Sequence, residues 1–203
     1  MRRYEQMVIG IDQSYTRCGM SIAADDRIIR VGSVDLTDTD DKTYKRKIVR
    51  EKVLSLCQKA QDRSFAPPIV VVERIRQFSK NFLSVPYIKG TGALIATIVD
   101  AAWACGVETY SINTKSWKSG VLGTSKPADN DFGVPGEKWP CVEYMISQGF
   151  EDSIKKRVEG RRRVGTFLDS DGEKWEYDHD AADSAGLALS WFRCPSDRFE
   201  REL

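Results

Sequence analysis

The sequence predicts an α/β fold with a mixed five-stranded sheet, three antiparallel strands followed by two parallel ones, flanked by helices. Three features lead to this prediction. Three short strand-like runs separated by polar residues open the chain, in residues 7–34. A helical pattern then leads into a β-branched run at residues 69–72. A second helical pattern leads into another short apolar run at residues 108–112.

The first three elements are predicted to form an antiparallel meander. Residues 7–11 (MVIGI) are apolar enough for a buried central strand. Residues 19–24 and 28–34 are strand-like as well, and the pair Asp25-Asp26 between them favours a tight turn. A hydrophobic run apolar on both faces, such as 7–11, belongs in the middle of a sheet.

Helices alternate with strands after the meander. Apolar residues at helical spacing predict a helix over 44–63, and two prolines separate it from the strand at 69–72. A strand–helix–strand crossover then makes 7–11 and 69–72 parallel neighbours. The remaining predicted elements are helices at 85–105, 114–122, 139–148, 151–158 and 179–192, a strand at 108–112, a hairpin within 164–177, and irregular segments at 37–43 and 120–140.

The composition is that of a globular domain. The 203 residues are 41% apolar and 30% charged, and we expect one domain over 1–203 with an insertion over about 123–177. The five cysteines are scattered and there is one histidine, which argues against a Cys/His zinc site. The N-terminus lacks the apolar run of a signal peptide, and the most apolar window, 93–107, is too short to span a bilayer. We therefore expect a cytoplasmic protein with no membrane partner.

Four carboxylates are predicted to meet at one edge of the sheet. Asp12 and Glu73 end the two strands expected to be parallel neighbours. Asp180 and Asp183 are three residues apart on the last helix, so they project from one face, and the small residues around them allow close packing on the sheet. Taken singly, Asp12 also fits a turn, and the Asp180/Asp183 pair also fits a solvated helix face. Their joint occurrence in this order of elements favours a shared site.

Such a cluster of like charges needs a cation, and hard oxygen ligands suit Mg²⁺ or Mn²⁺. Two such ions about 3.5–4 Å apart can activate a water and stabilise the leaving oxygen of a phosphodiester. This chemistry needs no histidine base, which agrees with a chain that has one histidine. The predicted reaction is metal-dependent phosphodiester cleavage.

The net charge of +1 gives no general attraction to nucleic acid, so any DNA contact must come from local clusters. After Glu73, basic and aromatic side chains alternate, which is typical of a surface that holds phosphates and stacks on opened bases. Two lysines flank Trp117, and residues 155–163 carry six basic residues against Glu159 alone. The predicted DNA contacts are Arg74, Arg76, Phe78, Lys80, Lys115, Lys118, Lys155, Lys156, Arg157, Arg161, Arg162 and Arg163. A solvated face explains the two lysines equally well, and it is also the alternative for the 155–163 cluster.

The chain resembles the RuvC family of Holliday junction resolvases, particularly its phage and prophage members. The resemblance covers about 1–125 and 178–192, and the Asp-Ala-Ala-Asp helix start is its most specific part. The matching motifs are Ile9-Gly10-Ile11-Asp12 with Thr16 to Gly19, Val71-Val72-Glu73, and Asp180-Ala181-Ala182-Asp183-Ser184-Ala185 continuing into Leu187-Ala188-Leu189.

The resemblance implies a ribonuclease H-like fold and a bacterial or phage-encoded homodimer that cuts paired strands of a four-way DNA junction. It implies two Mg²⁺ or Mn²⁺ ions per active site, held by Asp12, Glu73, Asp180 and Asp183 as the catalytic residues. In the resembling enzymes the loop after the second carboxylate lies at the junction, so Phe78 is a candidate wedge. Phe82 is better explained as a core anchor of the following helix.

Other functions stay open from the sequence. The segment 123–177 is longer than in the resembling bacterial enzymes, which favours a broader range of branched DNA. An RNA–DNA hybrid nuclease would share the fold and the carboxylates, although the Asp-Ala-Ala-Asp helix and the Phe78 loop argue against it. An inactive junction-binding scaffold is the third possibility, and the presence of all four acidic residues argues against it. Asp178 and His179 are predicted to be structural, with Asp178 as the N-cap of the last helix.

Overall fold

The computed structural model describes residues 3–74, 85–158, 166–168 and 171–202. The strands in this part of the chain are β1 Met7–Asp12, β2 Arg17–Ala24, β3 Arg27–Arg30, β4 Ser33–Asp35, β5 Ile69–Glu73, β6 Glu108–Ile112, β7 Lys155–Arg157, β8 Thr166–Leu168, β9 Lys174–Tyr177 and β10 Phe199–Glu202. The helices are α1 Lys42–Gln61, α2 Val85–Ala104, α3 Thr114–Leu122, α4 Trp139–Ser147, α5 Glu151–Ile154 and α6 His179–Arg193, followed by a 3₁₀ turn at Ser196–Arg198. None of these helices is both long and apolar enough to cross a membrane.

The α/β prediction is confirmed, with a larger sheet than expected. Within the described residues the main sheet has seven strands, in the order β10-β6-β5-β1-β2-β3, and β4 pairs with β2 beside β3. A second sheet has the order β7-β9-β8. The mixed character follows the prediction, because β1 pairs antiparallel with β2 while β1, β5 and β6 are parallel.

The predicted meander is present, but its third strand is divided. Asp25 and Asp26 have φ values of 49° and 62°, the left-handed geometry of a type I′ hairpin turn. Residues 28–34 were predicted as one strand, and they form the end of β3 and the start of β4 instead. The β2–β3 register shifts within β3, and beyond that shift the register of Ile22 with Arg30 continues as that of Gly19 with Ser33 in β4. Gly32 lies at this break and accepts a 2.7 Å hydrogen bond from the backbone of Met20.

The centre of the sheet separates two hydrophobic cores. Side chains of β1 alternate, so that Val8 packs into one core while Ile9 and Ile11 pack into the other. The first core contains the buried side of α6, and the second contains α1 and α2. Because β1 and β5 are parallel and Ile11 pairs with Val72, the carboxylates that follow these two residues end at the same edge of the sheet, as predicted.

Two strands are not anticipated by sequence periodicity. A helix was predicted over 151–158, but the helix ends at Ile154 and β7 follows, pairing antiparallel with β9. The tertiary pairing outweighs local propensity there, and Lys155 extends over the ring of Trp175 at 5.0 Å. The other strand, β10, pairs antiparallel with β6 at the end of the described chain.

Candidate active site

Helix α6 lies directly against β1, which ends at Asp12, and against the neighbouring strand β2. A Cβ on Gly10 would be 2.0 Å from the carbonyl oxygen of Ser184, and one on Gly19 would be 1.9 Å from that of Asp180. Only glycine permits this approach of helix to sheet. Gly19 pairs with Asp12 across β1 and β2, so the start of α6 is placed beside Asp12.

Helix α3 packs against α6 and reaches the second carboxylate. A Cβ on Gly186 would be 2.4 Å from Cζ3 of the buried Trp117 ring, so α6 needs glycine at this position. Trp117 donates from Nε1 to Oε2 of Glu73 at 3.4 Å, and the Thr114 hydroxyl donates to Oε1 at 2.5 Å. Gln13 binds the backbone of Glu73, donating to its carbonyl oxygen at 2.7 Å. Both the side chain and the backbone of Glu73 are therefore held from neighbouring elements.

Lys138 contacts two of the predicted carboxylates and was not among the residues that the sequence predicted for the site. It lies at the end of the irregular segment before α4, and its ammonium is 3.6 Å from Oδ2 of Asp12 and in direct contact with Oδ2 of Asp183. Asp183 is 1% exposed, and its other oxygen, Oδ1, is buried without a hydrogen-bond partner within the described residues. Lys118 approaches that oxygen to 3.8 Å. Two ammonium groups therefore lie beside carboxylates of the first strand and the last helix.

The electrostatics of Asp12 reflect this crowding. Burial raises the pKa of Asp12 to about 7, Lys138 opposes that rise, and Asp183, Glu73 and Asp180 add to it. Burial alone would lower the pKa of the Lys138 ammonium, but the carboxylates of Asp183 and Asp12 raise it above its ordinary value. The other three predicted carboxylates therefore all act on Asp12 through space at this edge.

The raised pKa of Asp12 predicts a pH dependence of stability for the metal-free protein. The folded-state pKa of about 7 lies above the ordinary value of 3.8, so folding favours the protonated form. The contribution of Asp12 to stability is therefore fully present below about pH 4 and is lost as pH rises through about 7. We expect the free energy of unfolding in chelator, measured by urea titration, to fall less with rising pH in Asp12→Asn than in the wild type. Equal pH profiles for the two proteins would contradict the assignment.

The carboxylates at this edge offer oxygen donors to a divalent cation. Within residues 3–74, 85–158, 166–168 and 171–202, no group of three or more His, Cys, Asp or Glu side chains is placed to hold a metal ion. Lys138 lies between Asp12 and Asp183, where it supplies positive charge. The donor set nevertheless suits Mg²⁺ or Mn²⁺, because it consists of carboxylate oxygens and one of them, Oδ1 of Asp183, is buried without a hydrogen bond. The donor atoms present therefore suit such ions, and the Lys138 ammonium lies against two of these carboxylates.

The start of α6 is fixed by a buried ion pair. Asp178 is the N-cap, as predicted, and its Oδ1 accepts from the backbone of Ala181 at 3.0 Å. Its Oδ2 accepts from Ser33 at 2.5 Å and from the ammonium of Lys156. Burial would raise the pKa of Asp178, but Lys156 and Ser33 hold it below its ordinary value. Strands β4 and β7 therefore fix the start of α6, the helix that carries Asp180 and Asp183.

Replacing Lys156 should consequently destabilise the protein. Asp178 is fully buried, and Lys156→Ala leaves its charge with only the Ser33 hydroxyl on Oδ2. We expect the free energy of unfolding in urea to fall by about 1–3 kcal/mol. Arg157→Ala is the matched control, because its pair with Glu173 is exposed and should contribute less than about 1 kcal/mol. If Lys156→Ala weakened DNA binding without loss of stability, Lys156 would be a DNA contact instead.

His179 lies beside the third carboxylate. Its Nδ1 is 3.1 Å from Oδ1 of Asp180, and it was predicted to be structural. Burial would lower the pKa of His179, but the bond to Asp180 raises it above the ordinary value. The His179 ring therefore lies against the Asp180 carboxylate from the adjacent position on the helix.

The residues predicted to contact DNA differ in their burial and in their partners. Lys115 is exposed, whereas Lys118 is buried and donates to the carbonyl oxygen of Glu137 at 2.6 Å. Arg74 pairs with Glu200 of β10 at 2.6 Å, and Lys155 lies 3.7 Å from Glu151. These residues remain predicted contacts. Six others lie outside the described residues, namely Arg76, Phe78, Lys80, Arg161, Arg162 and Arg163.

The fold was compared with known proteins. No protein-family model and no curated protein sequence matches the chain. Thermus thermophilus RuvC is similar with a TM-score of 0.60 and 17% identity, over 97% of this chain and 99% of that chain. T. thermophilus RuvC in complex with a Holliday junction substrate gives a TM-score of 0.58 and 17% identity, over 92% of both chains.

A eukaryotic structure is similar as well. The yeast mitochondrial Holliday junction resolvase Ydc2 has a TM-score of 0.51 and 16% identity, over 95% of this chain and 80% of that chain. The similarity to these structures covers 92–97% of this chain. At 16–17% sequence identity, the similarity to these structures shows the fold alone. This chain has the fold of the RuvC Holliday junction resolvases.

Proposed function

We propose that this protein is a metal-dependent endonuclease that resolves Holliday junctions and other branched DNA. The observation that supports the proposal most is the arrangement at the sheet edge, where Asp12 and Glu73 end parallel neighbouring strands and α6 brings Asp180 and Asp183 beside them. The fold agrees with it, because the similar solved structures are Holliday junction resolvases, one of them in complex with its substrate.

In this proposal the four carboxylates hold two Mg²⁺ or Mn²⁺ ions. When bound, such ions activate a water and stabilise the leaving oxygen of the phosphodiester. The protein contributes a fixed set of ligands. Thr114 and Trp117 hold the Glu73 carboxylate, and the His179 ring lies 3.1 Å from the Asp180 carboxylate. Prior orientation lowers the cost of assembling the site when ions and substrate arrive.

Lys138 has a defined part in the same proposal. In the metal-free protein its ammonium balances Asp12 and Asp183. If divalent ions took over that role, the Lys138 ammonium would become available to a substrate phosphate, because its side chain is 26% exposed and belongs to an irregular segment. A cation next to the scissile phosphate stabilises the charge that develops there. Lys138 would thus be both a substitute for the metal and a contact to substrate.

A hybrid nuclease is the second candidate, because the same carboxylate chemistry would cut the RNA strand of an RNA–DNA hybrid. The fold favours branched DNA over a hybrid, since the similar structures are junction resolvases. The experiment that tests the proposal compares cleavage of a synthetic four-way junction, a linear duplex of the same sequence and an RNA–DNA hybrid in Mg²⁺. Cleavage of the junction alone would support the proposal. Preferential cleavage of the hybrid would show instead that the protein is an RNA–DNA hybrid nuclease.

We also propose that the active form is a homodimer, as paired cleavage of a four-way junction requires two sites. The exposed side of α2 agrees with this, because Gly92 faces open space and Trp103 near the end of the helix is 80% exposed. A large apolar side chain so exposed at one end of a helix is typical of a surface covered by a partner. Sedimentation of the wild type and of Trp103→Glu would test the assignment of this face.

A further inference from the structure

A groove beside the active site is not accounted for by the carboxylates or by the predicted DNA contacts. It has a volume of about 410 Å³ and lies between the loop that follows Asp12 and the first turns of α1 and α2. It is lined by Gln13, Ser14, Tyr15, Thr16, Lys42, Gly90 and Thr91. We infer that this groove binds a nucleotide of the DNA strand next to the scissile phosphate, with Tyr15 stacking on its base and Lys42 contacting its phosphate.

The position of the groove is fixed relative to the carboxylates. Gln13 follows Asp12 directly, and its amide both donates to the carbonyl oxygen of Glu73 at 2.7 Å and accepts from its backbone N–H at 3.3 Å. Beyond it, the Ser14 and Thr16 hydroxyls are 2.9 Å apart, and the Thr16 carbonyl oxygen accepts from Leu36 at 2.9 Å. The loop is therefore tied to the strand that ends at Glu73, which places the groove next to the carboxylates.

The loop is supported from below by a buried cation. Lys45 is 8% exposed and donates from its ammonium to the carbonyl oxygen of Tyr15 at 2.9 Å. Burying a lysine is costly, and here it fixes the backbone that carries the ring. The ring itself rests on α2, since a Cβ on Gly90 would come within 3.3 Å of Cε2 of Tyr15. Because glycine has no side chain, the Tyr15 ring can pack directly against the backbone of α2 at this position.

The chemistry of the groove suits a nucleotide. Tyr15 is only partly buried, so one part of its ring remains available, and the ammonium of the exposed Lys42 lies 5.9 Å from the ring centre. Burial raises the pKa of Tyr15, and Arg46, one turn further along α1, opposes that rise, so a second cation acts on this side chain. The carboxylate of Asp41 is engaged as the N-cap of α1, where it accepts from the backbone of Thr43 at 2.8 Å.

An aromatic ring with adjoining cations is the combination that binds single-stranded nucleic acid: the ring stacks on a base and the cations hold the backbone. A branch point supplies such opened nucleotides, whereas a linear duplex does not. The inference rests on the proposed function and deepens it, because it gives the site a preference for distorted DNA that does not depend on the loop after Glu73.

The test uses the full chain and a four-way junction whose cut position has first been mapped with the wild type. Dissociation constants are measured in an Asp12→Asn background that does not cleave, with 2-aminopurine placed beside the cut position to report stacking. Tyr15→Ala should raise the dissociation constant about tenfold or more and remove the quenching of the probe, since a stacked base contributes about 1–3 kcal/mol. Tyr15→Phe should bind within about twofold of its parent.

Lys42→Ala provides an independent readout. It should weaken binding to all sequences and reduce the slope of log Kd against log salt by about one. Lys59→Ala is the matched control, because it removes an exposed lysine at the far end of the same helix. Circular dichroism identifies any variant that fails to fold. If Tyr15→Ala fails to fold, the binding of Lys42→Ala alone tests whether the groove contacts DNA.

The outcomes separate this inference from the function on which it rests. If the wild type cuts the junction but the Tyr15→Ala and Lys42→Ala variants bind as tightly as the Lys59→Ala control, the groove does not bind DNA and the inference is wrong. If the wild type cuts no junction at all, the proposed function fails first. Loss of quenching in Tyr15→Ala with retention in Tyr15→Phe would support stacking on the ring.

Discussion

Asp12→Asn is expected to lower junction cleavage by about a thousandfold while leaving the fold and junction binding intact. The amide keeps the size of the side chain but removes the charge that a divalent cation needs, and metal ions supply several kcal/mol of transition-state stabilisation. Each 1.36 kcal/mol corresponds to a tenfold change in rate. Single-turnover cleavage of a labelled four-way junction in Mg²⁺ measures the effect.

The same variant carries its own control for folding. Burial and three neighbouring carboxylates oppose ionisation of Asp12, so the neutral amide should melt at the same temperature as the wild type or higher at about pH 8 in chelator. Loss of folding in Asp12→Asn, or cleavage at an undiminished rate, would show that Asp12 is a structural residue. Cleavage lost together with junction binding would place it at the DNA interface instead.

Lys138→Met should destabilise the metal-free protein strongly and the metal-bound protein far less. The ammonium is the partner of the buried Asp183 and also reaches Asp12. Removing one partner of a buried ion pair costs about 3–5 kcal/mol, because the other charge stays buried without compensation. Since Mg²⁺ would supply the missing charge, thermal unfolding in chelator and in saturating Mg²⁺ should differ more for this variant than for the wild type.

Two further proteins give this prediction its specificity. Lys126→Met removes an exposed lysine from the same irregular segment and should show no metal-dependent difference beyond that of the wild type. The double variant Lys138→Met/Asp12→Asn should recover part of the lost stability in chelator, because one repelling charge is gone. Equal destabilisation of Lys138→Met with and without Mg²⁺ would mean that Lys138 is a structural residue and that metal does not replace it.

The sequence was sufficient for the parts of the fold that depend on short-range signals. An apolar run ending in Asp12, a β-branched run ending in Glu73 and the Asp25-Asp26 turn each gave the correct strand or turn. The helix spacing of Asp180 and Asp183 put them on one face. The crossover rule for parallel strands then brought Asp12 and Glu73 to the same edge, as the structure has them.

The remaining features depend on contacts between residues far apart in the chain. Lys138 lies 45 residues from Asp183, in a segment without periodicity, so no local pattern links the two. Lys156 belongs to a basic cluster whose sequence predicts contact with DNA phosphates, but its ammonium contacts the buried Asp178. The strand β10 has three consecutive charged residues, Glu200 to Glu202, and becomes a strand because it pairs with the edge of β6.

Glycine gave a signal that could have been used. Gly10 and Gly19 stand in apolar strands, where glycine has no advantage unless another backbone comes close. That backbone is the one of α6 at Ser184 and Asp180. Glycine in both strands of the first hairpin, together with small residues around the Asp-x-x-Asp helix, therefore indicates which helix crosses which strands.

The most direct test of the central claim follows both strands of one four-way junction after metal is added. Protein stripped with chelator is bound to a junction labelled on opposite strands, and Mg²⁺ or Mn²⁺ starts the reaction. The account predicts no cleavage before metal, then symmetric nicks on the two labelled strands, and none on the linear duplex. Cleavage that continues in chelator, or tight junction binding with no cleavage in either metal, would contradict it.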